Sequence, residues 1–178
     1  YALEFGDLYA QVTLPKGTEL YFVLDFDGSY TNCGDYSLEW AGSCYIMKDK
    51  AGNRYSFTPD GQIQNIIYVN GDVVNFVYSG NKLTNVSSGT GSFKFTYGNS
   101  GNIETVTDSV GRIVTLSYDG NLLTAAENPD GDSLRYTYDS NGYLTSVTNF
   151  KGDVYVENTY DDAGRVTHQY AADFGTFE

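Results

Sequence analysis

Cys33, Cys44 and the single His168 are the side chains best suited to act as nucleophile, base or metal ligand. Two Cys and one His fall short of a Cys/His zinc site. With ten residues between them in turn-rich sequence, Cys33 and Cys44 form a disulfide if the parent protein is exported, or stay as two unpaired thiols. His168, between Thr167 and Gln169, reads as a solvent-facing strand position. A Ser-His-Asp arrangement could still assemble across the fold, but no G-x-S-x-G motif is present. The 23 acidic residues would allow a glycosidase pair of carboxylates, yet no two stand out by spacing. Asp25-Phe26-Asp27-Gly28 and Asn128-Pro129-Asp130-Gly131-Asp132 hint at calcium loops, but neither supplies six oxygen ligands alone, and both read better as turns. No catalytic, cofactor-binding or metal-binding residue is assigned, and no cofactor is expected.

The pairs Tyr118-Asp119, Tyr138-Asp139 and Tyr160-Asp161 place a phenol beside a carboxylate. A catalytic group need occur only once, whereas these pairs recur in phase with a longer pattern. An apolar residue followed three places on by another appears at Ile63/Ile66, Leu83/Val86, Ile103/Val106, Leu123/Ala126 and Leu144/Val147. Val166 starts a sixth copy, in which Gln169 stands where the second apolar residue belongs. The leading positions are separated by 20, 20, 20, 21 and 22 residues. Eight residues after each of the first five leaders comes a glycine: Gly71, Gly91, Gly111, Gly131 and Gly152. Five or six places before each leader stands an aromatic: Phe57, Tyr78, Tyr97, Tyr118, Tyr138 and Tyr160. Three markers in phase over six copies define a tandem repeat.

Each copy reads as two strands. Leu134, Tyr136 and Tyr138 alternate with Ser133, Arg135 and Thr137, and Phe93, Phe95 and Tyr97 alternate with Lys94 and Thr96, as one-sided strands do. Asp or Asn opens a four-residue break and Gly closes it in Asp139–Gly142, Asp161–Gly164, Asp108–Gly111, Asn128–Gly131 and Asn149–Gly152, while Gly98–Gly101 opens on Gly. That chemistry suits a type I turn leading into a left-handed Gly. Leu144 and Val147 are three apart, so strict alternation puts them on opposite faces. Either a bulge realigns the second strand, or both faces are partly covered. Three segments follow: residues 1–50, a β segment that continues or caps the sheet; 51–170, about six repeats; and 171–178, a tail or the start of the next repeat.

Composition narrows the function classes. The formal charge is 10 − 23 = −13 with a pI near 4.2, which argues against nucleic acid or anionic membrane as partner. No run approaches the ~18 apolar residues of a membrane span. The 17 Tyr, 10 Phe and one Trp supply apolar area that argues against disorder. The chain opens on Tyr1 rather than Met and reads as a piece of something longer.

Tyr138-Asp139-Ser140-Asn141-Gly142-Tyr143-Leu144-Thr145-Ser146-Val147-Thr148, followed by Gly152, closely resembles the bacterial RHS/YD repeat, as does Tyr160-Asp161-Asp162-Ala163-Gly164-Arg165-Val166-Thr167. Tyr118-Asp119 is a third intact pair with a turn one residue shorter. Tyr78-Ser79, Tyr97-Gly98 and Phe57-Thr58 are degenerate copies, and Lys48 to Phe57 looks like the lead-in to such repeats. The resemblance covers roughly residues 48 to 169 and makes Tyr78, Tyr97, Tyr118, Asp119, Tyr138, Asp139, Tyr160, Asp161, the five glycines, Leu83, Leu123 and Leu144 the repeat-defining residues.

It implies an all-β fold in which hairpin repeats form a long antiparallel sheet, strongly curled or spiralling as a segment of an open shell. In RHS proteins, toxin-complex C components and teneurins, such shells belong to large secreted or surface proteins. The bacterial shells enclose a C-terminal toxin, and teneurins present theirs for adhesion. The partners so implied are the rest of the parent shell and its effector, and the role is structural rather than enzymatic. The other reading is a carbohydrate-binding or adhesion module in which exposed Tyr and Trp40 contact glycans or cell-surface proteins. Open sheet edges would also allow self-association. The motif that ends bacterial shells and carries self-cleavage is not seen in this sequence.

Overall fold

The computed structural model describes residues 1–172 and 175–177, all of whose regular elements are strands. No helix among them is long and apolar enough to cross a membrane. The chain divides into two compact units, Tyr1–Ser92 and Phe93–Glu178.

The first unit holds β1 (Ala2–Phe5), β2 (Tyr9–Thr13), β3 (Glu19–Val23), β4 (Ser37–Trp40), β5 (Tyr45–Lys48), β6 (Arg54–Phe57), β7 (Ile63–Ile67), β8 (Val73–Ser79) and β9 (Lys82–Ser88). Residues 1–50 do two things. β1, β2 and β3 form their own three-stranded antiparallel sheet, whereas β4 and β5 pair with one another and with β6 as the first strands of the repeat sheet. The two sheets share one core. Leu3, Ala10, Val12, Leu20 and Phe22 pack with Leu38, Met47, Tyr55, Phe57, Ile63 and Ile66, all buried. The alternation of Glu19-Leu20-Tyr21-Phe22-Val23, with Leu20 and Phe22 buried and the others exposed, is what a strand covered on one face requires. Leu3 donates its N–H to the Gly61 carbonyl at 3.2 Å. The approach is close enough that a Cβ on Gly61 would run into the Leu3 carbonyl.

The second unit continues the meander with β10 (Gly91–Tyr97), β11 (Ile103–Asp108), β12 (Ile113–Asp119), β13 (Leu122–Glu127), β14 (Ser133–Tyr138), β15 (Leu144–Thr148), β16 (Val154–Tyr160), β17 (Val166–Ala171) and β18 (Gly175–Phe177). Within this unit every strand pairs with its sequence neighbour and no crossover occurs, because connections of two to five residues can join only adjacent antiparallel strands. For the segment expected as a tail or a further repeat, Gly175–Phe177 pairs with β17; residues 173, 174 and 178 lie outside the described residues.

The three-residue spacing has its answer in the register. Tyr136 faces Val147 and Thr137 faces Ser146, but Tyr138 faces Leu144, so Thr145 is an extra residue. The same shift recurs at the repeat aromatic in each of the other five hairpins, leaving Gln64, Thr84, Glu104, Thr124 and Thr167 as the extra residues. The bulge at the repeat aromatic therefore brings the leader and its follower onto the same face as the aromatics and adds local twist; a further shift, in the pairing of β15 with β16, leaves Tyr155 as an extra residue.

Candidate functional site

Three features of the repeat could carry function: its turns, its aromatic face and its polar face. The turns explain the Asp. The Asp139 N–H donates to the Tyr143 carbonyl and the Gly142 N–H to the Asp139 carbonyl, both at 3.0 Å. The Asp139 carboxylate oxygen Oδ1 accepts the N–H groups of Asn141 and Tyr143, both at 2.9 Å. Asn128 and Asn149 do the same with amide oxygens. A short side-chain acceptor two atoms from the backbone is what this turn needs, so Asp and Asn serve equally.

Asp161 also receives the Arg165 guanidinium, at 2.9 Å from Nε, and Asp108 receives that of Arg112, at 2.6 Å. The Arg165 N–H and guanidinium, with the Ala163 N–H, hold the Asp161 carboxyl below its ordinary range. Partial burial pulls Asp108 upward, but the Arg112 and Val110 N–H groups and the guanidinium outweigh it.

Asp119 departs from this pattern. It pairs with Leu122 across a two-residue turn at Gly120-Asn121, so it ends a strand and caps no four-residue turn. Gly91 departs as well: Gly71, Gly111, Gly131 and Gly152 have φ between 85° and 91°, whereas Gly91 opens β10 without a positive φ. Cys33 and Cys44 are free. The hairpin register sets Cys44 against Ala41 at one end of β4, while Cys33 bridges Tyr36 before the other end, so the expected disulfide does not form in this structure.

The aromatics Tyr97, Tyr118, Tyr138 and Tyr160 lie half-buried along one face of the second unit. Tyr138 and Tyr160 are tied to the sheet by more than packing. The Tyr138 hydroxyl donates to the Leu123 carbonyl at 2.8 Å, and that of Tyr160 to the Leu144 carbonyl at 2.7 Å. Leu123 and Leu144 are the leaders next to the bulged Thr124 and Thr145, where the ladder is interrupted. Each phenol thus satisfies a backbone acceptor of the preceding copy, which Phe could not do.

The sixth copy makes its rung from polar residues. Asn158 faces Gln169, and its Oδ1 accepts from Gln169 Nε2 at 2.8 Å while its Nδ2 reaches the Leu144 carbonyl at 3.1 Å. Asn158 is only 8% exposed, and this pairing accounts for Gln169 standing at an apolar position. Sequence reasoning missed Asn158. Its one signal was a polar residue two before the repeat Tyr, where the other copies carry Tyr55, Phe76, Phe95, Leu116 and Tyr136.

On the aromatic face lies an open hollow of about 340 Å³ lined by Val114, Ala126, Leu134, Phe150 and Tyr155, with Glu127 and Asp132 at its rim. The opposite face carries hydroxyl pairs at the bulges: Thr96 with Thr105, Thr137 with Thr145, and Thr159 with Thr167, at 2.6 to 2.9 Å. His168 is on that face, opposite Thr159.

The RHS Repeat family matches over residues 117–154. No curated protein matches the chain. Among solved structures, the chain is similar to a TcdB2-TccC3 complex without its hypervariable C-terminal region, with TM-score 0.54 and 15% identity over 92% of this chain and 10% of that one. It is also similar to the Photorhabdus luminescens Tc holotoxin pore, with TM-score 0.48 and 12% identity over 91% of this chain and 12% of the other. The chain spans about a tenth of the length of these structures, and at 15% identity the likeness to the TcdB2-TccC3 complex is one of fold. The stretch that matches the RHS Repeat family, residues 117–154, runs from the end of β12 through β15 to the first residue of β16, and so holds the capped turns at Asn128, Asp139 and Asn149 and the bulged hairpin of β14 and β15 described above.

Proposed function

We propose that this chain is a non-enzymatic segment of a larger RHS-type wall in a secreted or cell-surface bacterial protein, and that the wall encloses or presents an effector carried elsewhere in the parent. One observation carries the reading. In the second unit Val114, Leu116, Tyr118, Leu134, Tyr136 and Tyr138 make one face of the sheet aromatic and aliphatic and leave it half-exposed, with Thr115, Ser117, Ser133, Arg135 and Thr137 on the face opposite. Among the described residues of that unit no second layer covers the apolar face. A sheet with one apolar face gains stability only when something lies against it, so the face suits the inside of an enclosure.

The test is protease protection in the parent protein. The enclosed region should resist digestion while the wall is folded and become sensitive at the denaturant concentration where the wall unfolds. Digestion at equal rates before and after unfolding would overturn the proposal. The adhesion reading needs rings free to stack on a ligand, whereas the phenols of Tyr138 and Tyr160 are engaged by backbone carbonyls. No saturable glycan binding by the repeat face is expected at millimolar concentration.

A further inference from the structure

We propose that the free edge of β4 takes up an extended, arginine-bearing polypeptide segment as an added strand, its guanidinium lying on Trp40 beside Asp27. β4 is the terminal strand of its sheet, with β5 as its one neighbour. Ala41 donates its N–H to the Cys44 carbonyl. Antiparallel ladders alternate, so Glu39 and Ser37 also bond to β5, while the backbone N–H and C=O of Leu38 and Trp40 point outward. A groove of about 340 Å³ runs there, lined by Asp27, Tyr30, Leu38, Glu39 and Trp40. Glu39 and Trp40 are consecutive in a strand, so their side chains leave on opposite faces. The groove thus runs between the Asp27–Tyr30 segment and three consecutive residues of this terminal strand, Leu38, Glu39 and Trp40.

The groove is furnished for a cation. Trp40 is 45% exposed and its ring rests on Tyr45 at 4.7 Å between centroids, with Phe5 on the same Tyr45 at 4.8 Å and Tyr30 at 6.3 Å. This bracing holds the indole in place before any ligand arrives. Asp27 is fixed by the Ser29 N–H at 2.9 Å, and no basic side chain lines the groove. Lys48 neutralises Glu39 from the far face, at 2.9 Å, which leaves Asp27 as the charge a ligand would meet. A guanidinium is planar and weakly hydrated, stacks on indole and pairs with carboxylate. Strand addition supplies backbone bonds while alternate side chains supply selectivity. A second copy of this chain would bring a like-charged edge and is disfavoured.

Trp40 is the single Trp of the chain, so its emission reports the groove directly. The probe is the acetylated, amidated pentapeptide Val-Arg-Val-Arg-Val. It should shift Trp40 emission saturably, more weakly as salt rises. Replacing its Arg by citrulline should weaken binding about 5-fold or more, the worth of about 1 kcal/mol. N-methylation of alternate backbone nitrogens should abolish it. Asp27→Asn, read by the same emission, and Trp40→Phe, read by calorimetry, should each weaken it about 5-fold with melting unchanged. Absence of saturation, equal binding of the citrulline peptide, or insensitivity to Asp27→Asn would overturn the proposal. So would an emission shift with neutral oligosaccharides in place of the peptide, or concentration-dependent dimerisation that buries Trp40.

Discussion

A residue of the repeat is chosen by the backbone it serves. Gly131 has φ 85° and open space around the position of a Cβ, so only backbone strain opposes a side chain there. Gly131→Val should cost about 1–3 kcal/mol. Gly89 also has open space but lacks the positive φ, and Gly89→Ala should stay within about 0.5 kcal/mol. Equal shifts of the urea midpoint in the two variants would contradict the turn geometry.

The turn carboxylates carry a pH signature. Asp161 and Asp108 are held below their ordinary 3.8 in the folded chain, so the folded state binds their protons less readily than the unfolded state. Their contribution is present above that value and is lost as pH falls through the folded pKa values. The melting temperature should therefore drop on acidification below about pH 4, and the drop should be shallower in the double variant Asp108→Asn, Asp161→Asn. The same logic explains why Asn128 and Asn149 can occupy the position: the turn needs the acceptor, and the charge is an addition.

At the scale of the element, the hairpin is defined by its bulge. Leu144 and Val147 share a face only because Thr145 has no residue opposite it in the register with β14. The spacing of three was plain in the sequence. Its cause was not, because periodicity records side-chain facing and cannot tell an extra residue from a strand buried on both sides. The phenol-to-carbonyl bond joins one hairpin to the next. Tyr160→Phe removes a donor at 2.7 Å from the Leu144 carbonyl and should destabilise by about 1 kcal/mol. Faster amide exchange in both β15 and β16 would mark the bond as a link between copies, and an unchanged pattern would reduce it to local packing. The Asn158–Gln169 rung belongs to the same scale. Two polar residues directly opposite one another satisfy each other as two apolar residues would, so the break in the apolar pattern leaves the register intact.

For the whole molecule, the decisive feature is where burial stops. All twelve buried apolar side chains among the described residues lie between Leu3 and Ile66, where β1 to β3 cover the repeat sheet. Phe57 is fully buried there, and Phe57→Ala should cost about 3–5 kcal/mol. Leu134 occupies an uncovered face and is half-exposed, and Leu134→Ala should cost less than about 2 kcal/mol. Denaturant titrations of the two variants test whether the layer formed by β1 to β3 is what separates them. The sequence by itself determined the period, the strands, the Asp- and Asn-capped turns and the all-β class, because each is a local bargain between neighbouring residues and the backbone. Tertiary structure alone decided three matters: the bulge that puts leader and follower on one face, the free thiols of Cys33 and Cys44, and the placing of β1 to β3 over one stretch of sheet. Those depend on which residues meet across strands and layers, and an alternating apolar pattern states that a face must be covered without naming what covers it.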